Sequence, residues 1–300
     1  MVIMTNKNIF FWYFPLIIRF FILMGMGASE RFPVSLNAVN IVCFKIDWEE
    51  RMLNVLLLKR SISPQKNKWS LPGGFVQGDE TLEEAARRIF VVETGIFPAY
   101  LSQFRTYSDT KRDKRIINHR TEQKARVITT AFSAIYTSDE DLQLDEESED
   151  IRWFKLPRKY LSRYIPDNMA FDHYDMLLEA SNRLRITLEY NGLATRFLSE
   201  YFTLGQIQDV YEIIWEVELD PANFREKLTN VEGWIRESKT GPKDAEPRRG
   251  KPPTWYKEHD IPQFDRMITN PNGAVIREKE SEYQKNLDSL TGEIPVIRDN

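Results

Sequence analysis

The sequence predicts an α/β sandwich over residues 34–188, followed by a smaller helix-led unit over residues 189–260. Three observations carry this expectation. Short β-rich runs alternate with two stretches of helical apolar spacing in the first part. The second part opens on two capped helices and ends on basic, then aromatic, strand-like text. Three hundred residues at roughly 100–200 per domain allow a sizeable core in each part.

Composition narrows the class of protein. Apolar residues make up 42% and charged residues 29%, the ordinary balance of a soluble globular chain. A net charge of −4 argues against coating nucleic acid by bulk charge and leaves room for one local basic surface. The single cysteine, Cys43, excludes an intramolecular disulfide and any multi-cysteine metal site. It lies in the apolar run Ile41-Val42-Cys43-Phe44, where a buried strand residue is expected rather than a reactive thiol. These features fit a reducing cytoplasm. Residues 1–33 form an apolar extension, with Pro15 and Arg19 interrupting the run Ile9–Met24. As a helix those sixteen residues reach about 24 Å, short of a hydrocarbon core of about 30 Å. Gly25–Ser29 would make a poor signal-peptide cleavage site, so the expectation is a start at Met24 or Met26, a non-native upstream piece and no membrane partner.

Along the first unit, Val34–Asp47 and Val55–Arg60 read as strands around a polar turn at Trp48–Arg51. Trp69–Val76 leads into Gly78-Asp79-Glu80-Thr81, and Glu80–Thr94 reads as a helix closed by Gly95. Further strands follow near Tyr100–Tyr107, Val127–Tyr136 and Ile151–Phe154. Phe171–Leu188 reads as a second amphipathic helix, with Met176, Leu177, Ala180 and Leu184 at helical spacing. Two charged runs read as loops. Asp139–Asp150 has eight acids in twelve residues and is expected to be a solvated surface. Lys111–Arg126 has seven Lys/Arg against two acids, and its reading stays open between a solvated loop and a ligand contact.

In the second unit Thr203 caps a helix with Leu204, Ile207, Val210, Tyr211 and Ile214 on one face. Asp220-Pro221 opens the next, since Asp is favoured at the N-cap and Pro at the first helical position. Phe224 and Leu228 anchor that helix and leave Asn223, Arg225, Glu226 and Lys227 exposed. Trp234-Ile235, a Lys/Gly/Pro-rich loop and the run Arg248–Tyr256 complete the order helix, helix, strand, basic hairpin, aromatic strand. That order is a winged helix-turn-helix. Residues 261–300 form a polar tail, expected to be partly disordered.

The stretch Gly74-Phe75-Val76-Gln77-Gly78-Asp79-Glu80, then Arg88, then Glu93-Thr94-Gly95-Ile96, resembles the Nudix box. The spacing agrees over twenty-three positions without a gap, and Trp69-Ser70-Leu71-Pro72-Gly73 before it is also similar to the family. The resemblance implies a Nudix α/β/α sandwich with a mixed sheet. Two departures decide the chemistry. Ile89 stands where the pattern has its first helix glutamate, and Val92 where it has the first of a Glu-Glu pair; only Glu93 remains. In Nudix hydrolases those carboxylates hold Mg²⁺ against a pyrophosphate, and neither Ile nor Val offers the hard oxygen that Mg²⁺ requires. The resemblance therefore implies ligand binding without hydrolysis, with no catalytic residue, no metal site and no cofactor. A helix face absorbed into the core would explain Ile89 and Val92, yet it leaves the retained Gly73-Gly74 loop unexplained.

A degenerate Nudix domain joined to a winged helix resembles the Nudix-related transcriptional regulators of NAD metabolism. The resemblance runs from about residue 35 to 257. It includes Met169–His173, Phe202-Thr203-Leu204 with Val210-Tyr211-Glu212, Leu219-Asp220-Pro221 with Asn223-Phe224-Arg225, and the wing Arg249-Gly250-Lys251-Pro252-Pro253. It implies a dimeric repressor that binds operator DNA and answers to ADP-ribose or a related nucleotide; relatives of this architecture answer instead to sugars such as arabinose. The implied DNA contacts are Asn223, Arg225 and Lys227 on the recognition helix and Arg248, Arg249 and Lys251 in the wing. The retained loop makes Gly73, Gly74 and Glu93 the candidate ligand contacts. Separately from the resemblance, the compact charge of the basic run between two sheet strands suggests that Arg112 and Arg115 supply cations in place of metal. His173 is expected to be structural, explained together with Asp172 by helix capping. Two competing functions remain: an ADP-ribose or sugar-nucleotide pyrophosphatase with an atypical metal site, and a nucleotide-binding scaffold with a protein-docking winged helix.

Overall fold

The computed structural model describes residues 35–95, 97–110, 112, 114–118, 123–137, 150–159, 161–242, 253–259 and 268. Expectations for residues 1–33, for most of the acidic run, for Arg248, Arg249 and Lys251, and for the tail apart from Ile268 lie outside the described residues. The described residues fall into two compact units, one holding those of 35–37 and 108–128 and a larger one holding those of 38–107 and from Thr129 onward.

The larger unit is built on β1 (Ser35–Asp47), whose burial follows directly from its sequence. From Ala38 to Phe44 every residue is buried, so both faces of the strand are covered. Alternate side chains then feed two different cores. Val39, Ile41 and Cys43 pack with Ala85, Ala86, Ile89 and Phe90 of α1 (Leu82–Thr94). Val42, Phe44 and Ile46 join a larger core with Met176, Leu177, Ala180 and Leu184 of α2 (His173–Tyr190). One helix on each face makes the expected sandwich around a mixed sheet. Around β1 the order is β3 (Trp69–Ser70), β2 (Met52–Lys59), β1, β7 (Gln123–Ile135) and β5 (Tyr100–Tyr107). In addition, β4 (Gly73–Phe75) pairs with β1 and β8 (Ile151–Lys155) with β2, both antiparallel. The helix α1 starts at Leu82, two residues later than Glu80, because Thr81 is the cap: its hydroxyl accepts the Glu84 amide while Glu84 accepts the Thr81 amide. Gly95, at φ 70°, ends it in the left-handed conformation that glycine adopts freely.

The second core continues without a break into the C-terminal elements. Thr203 and Gln206 form a capping box for α3 (Leu204–Trp215), and Asp220 caps α4 (Pro221–Thr229) through the Asn223 amide. Tyr211 is the centre of this packing, its ring edge-on to Trp215 at 4.8 Å and to Phe224 at 5.1 Å. Strands β9 (Ile235–Ser238) and β10 (Trp255–Glu258) pair antiparallel, and Phe202 exchanges two main-chain hydrogen bonds with Tyr256. Ile268 is buried in the same core.

In the smaller unit the basic run, expected as a loop, is instead a strand pair. Here β6 (Lys114–Asn118) lies antiparallel to the start of β7, Lys114 facing Arg126 and Arg115 facing Ala125. The charges hid the β signal of Ile116-Ile117, because a run rich in Lys and Arg reads as solvated loop. Among the described residues no helix is long and apolar enough to cross a membrane.

Candidate functional site

The pairing of β4 with β1 fixes the motif loop in place. Gly74 faces Val39 and Gly73 faces Asn40. A side chain at Gly73 is excluded, since a Cβ would lie 2.1 Å from Asn40 Nδ2 and 2.6 Å from the Val39 carbonyl oxygen. At Gly74 a Cβ would press on Ile89 Cδ1 at 3.1 Å. The Gly73 amide donates to Glu93 Oε2 at 2.8 Å, so the retained carboxylate of the helix holds the loop's backbone. Glu93 as a residue is exposed, but its carboxyl end is turned inward against the loop. Burial of that end pushes its pKa up to about 7, offset in part by the Gly73 amide and the charge of Arg60.

A second contact braces the other end of the loop. Arg88 donates to both oxygens of Glu80, at 2.7 and 2.5 Å, and to the Phe75 carbonyl at 3.3 Å. Glu80 also accepts the Gln77 amide at 2.7 Å. The Arg88 guanidinium, then this amide, hold the Glu80 carboxyl at about 2. Such a bidentate pair adds geometric definition as well as charge.

The two substituted ligand positions have different fates. Ile89 is 5% exposed and part of the core beneath Gly74, as absorption into the core requires. Val92 is 77% exposed, so packing does not account for it. Glu93 is left as the one carboxylate of the three, and it is engaged by the Gly73 amide. Among the described residues no group of three or more His, Cys, Asp or Glu side chains is placed to hold a metal. A Nudix magnesium site needs several hard oxygen donors in octahedral geometry, and the residues at these positions do not fit one.

The residues expected to contact the ligand are distributed over both units. Gly73, Gly74 and Glu93 come together in the larger unit. Arg112 and Arg115 belong to the smaller unit; Arg112 is half-buried with its amide donating to Asp109, and Arg115 is on β6. Arg60, at the end of β2, was not singled out by sequence; its charge acts on Glu93, and nothing in the residues around it distinguishes it as a site cation. His173 is structural, but not through capping. Asp172 makes no side-chain cap hydrogen bond, whereas His173 Nδ1 accepts the Leu71 amide at 3.0 Å and is 3% exposed.

On the helix-turn-helix, Phe224 and Leu228 are buried and Asn223, Arg225, Glu226 and Lys227 are exposed on α4, as the spacing predicts. The ends of the wing hairpin are β9 and β10; the basic residues expected at its tip lie outside the described residues.

A Nudix sandwich with an altered box, carrying a helix-turn-helix and a two-stranded wing, defines a Nudix-related regulator in class. Residues 36–175 match the NUDIX domain family and residues 194–257 the NrtR DNA-binding winged helix domain. The ADPR responsive transcriptional repressor NtrR of Acinetobacter baylyi is 30% identical over 254 residues, 83% of this chain and 93% of that protein. The crystal structure of Shewanella oneidensis NrtR complexed with a 27mer DNA superposes with a TM-score of 0.62 at 25% identity, covering 77% of this chain and 99% of the other. An ADP-ribose pyrophosphatase of Methanocaldococcus jannaschii is 33% identical over 124 residues, 41% of this chain and 63% of that enzyme. The chain belongs to the family of Nudix-domain transcriptional regulators that carry the NrtR winged helix.

Proposed function

We propose that this protein is a transcriptional repressor that binds operator DNA as a homodimer and releases it on binding ADP-ribose, which it does not hydrolyse. One observation carries the reading. A motif loop still braced by Glu93 and by the Arg88–Glu80 pair, with Ile89 and Val92 at ligand positions, shares its chain with a helix exposing Asn223, Arg225 and Lys227. The loop is kept in binding form while its metal chemistry is lost. The repressor from Acinetobacter baylyi, ADPR responsive by name, supports the same ligand. Winged-helix dimers place two recognition helices about one DNA turn apart, which suits a two-fold operator. Arg112 and Arg115 are proposed to add positive charge for the diphosphate, and Arg248, Arg249 and Lys251 to contact DNA from the wing. The cytoplasm is the compartment this reading requires.

The test is a fluorescence-anisotropy titration of the purified protein against duplexes tiled across the region upstream of its own gene. Saturable binding that ADP-ribose weakens by about 5–150-fold is expected. Release by arabinose and not by ADP-ribose would replace the nucleotide with a sugar. DNA binding that neither compound alters would overturn the ligand-responsive reading.

A further inference from the structure

The turn between β1 and β2 makes a contact that none of the ligand or DNA assignments uses. Asp47 Oδ1 accepts the amides of Glu49 and Glu50 at 3.1 and 2.9 Å, and Glu50 pairs with Lys155 at 2.6 Å, so the turn is fixed from two sides. Arg51 closes it with φ 49°, a left-handed conformation that glycine or asparagine would adopt more readily. What arginine adds at this position is its guanidinium. Nη1 donates to Asp209 at 2.7 Å and Nη2 to Glu212 Oε2 at 3.1 Å, two acids one turn apart on α3.

The second oxygen of Glu212 carries the contact onward. Glu212 Oε1 accepts the Leu219 amide at 3.1 Å and the Gln208 side-chain amide at 2.8 Å. Gln208 Nε2 in turn donates to the Leu219 carbonyl at 3.0 Å. Leu219 immediately precedes Asp220, the cap of the helix that presents Asn223, Arg225 and Lys227. One carboxylate therefore joins the β1–β2 turn to the turn of the helix-turn-helix. The far end of α3 is held differently: the buried Arg185 guanidinium donates to the Ile214 carbonyl at 3.1 Å, and the Arg185 carbonyl oxygen accepts from the Trp215 indole at 2.9 Å. That end is a fixed, buried attachment. The Arg51 end is half-exposed and ionic, the kind of contact that a small shift of the turn can make or break.

We infer that Arg51 is a positioning residue for operator recognition, setting the α3–α4 turn through Glu212 and linking it to the motif loop along β1. The link runs along a single strand. Asn40 pairs with Gly73 on the same strand whose end, Asp47, fixes the turn. The part concerning ligand response rests on the function proposed above; the part concerning DNA does not.

The test compares wild type, Arg51→Ala and Arg51→Lys in the full-length protein. Hydrogen exchange at the Leu219 amide and operator-versus-random DNA affinity are read without ligand, and the change in operator affinity on adding ADP-ribose is read separately. In Arg51→Ala, Leu219 should exchange faster while the β1 and β2 amides keep wild-type rates, and operator preference over random DNA should fall. The ADP-ribose effect should shrink by about 2–30-fold, the usual span for residues that transmit coupling. Arg51→Lys reaches one acid at a time and should restore each readout in part. Wild-type Leu219 exchange together with wild-type operator preference in Arg51→Ala would overturn the inference. If wild type itself fails to bind ADP-ribose by calorimetry, the proposed function falls, while the role of Arg51 in DNA recognition stands or falls on the exchange and DNA measurements.

Discussion

The Gly73 amide and the Glu93 carboxylate meet at 2.8 Å across twenty residues of sequence. In an active Nudix box the equivalent helix position serves the metal; here it serves the backbone of its own loop. The consequence is a pH dependence with a defined sign. Folding raises the Glu93 pKa from 4.5 to about 7, because burial disfavours the charged form. The folded state then binds more protons than the unfolded state between those values, so this group's stabilisation is complete below 4.5 and is lost as pH rises through 7. Urea denaturation at pH 5 and pH 8 should show wild type losing stability at the higher pH and Glu93→Gln losing less. Equal losses in both proteins would remove Glu93 as the cause.

Ile89 and Val92 separate by burial, and so should their substitutions. Ile89→Glu places a carboxylate in the core under Gly74 and should cost about 2–5 kcal/mol. Val92→Glu adds charge to a surface that is 77% exposed and should change stability by about 0.5 kcal/mol or less. Denaturant midpoints with unchanged slopes would measure both. A mild Ile89→Glu variant would mean that the helix face retains room for a carboxylate, and with it a route back to a metal site.

Much of this was legible in the sequence, for a physical reason that differs from element to element. Local signals carried the C-terminal helices: Thr203 caps α3 and Asp220-Pro221 opens α4 as their composition dictates, whereas a start at Glu80 overlooks the Thr81–Glu84 capping box that begins α1 at Leu82. The motif's spacing brought Gly73, Gly74 and Glu93 to one place. Spacing alone does not divide Ile89 from Val92, because both are aliphatic and only the packed helix shows which one faces Val39 and Ile41. Nor does it find Arg51, whose partners Asp209 and Glu212 lie 158 and 161 residues away. The hairpin of β6 was hidden by its own charges.

Salt should report on the DNA surface. In the proposed dimer, about six neutralised phosphates would give a log–log slope near −5 for operator affinity against salt. Lys251→Ala with Arg249→Ala should flatten that slope, since phosphate contacts carry it. Asn223→Ala should leave the slope and reduce discrimination between operator and random DNA. Identical slopes for wild type and the wing variant would exclude the wing as a contact.

The basic hairpin gives an independent test of the ligand reading. Arg112→Ala with Arg115→Ala should lower ADP-ribose affinity and raise the concentration needed to release the operator. DNA affinity without ligand should stay unchanged. A variant that loses DNA binding and keeps ADP-ribose binding would assign these cations to the DNA surface.

The most direct measurement is calorimetric titration of the purified protein with ADP-ribose, with and without Mg²⁺, followed by chromatography of the recovered ligand. A motif loop held by Glu93 as a receptor predicts saturable binding, equal with and without the metal, and ADP-ribose recovered intact. Conversion to AMP and ribose 5-phosphate that depends on Mg²⁺ and runs at an ordinary enzymatic rate of about 1 s⁻¹ or more would contradict it.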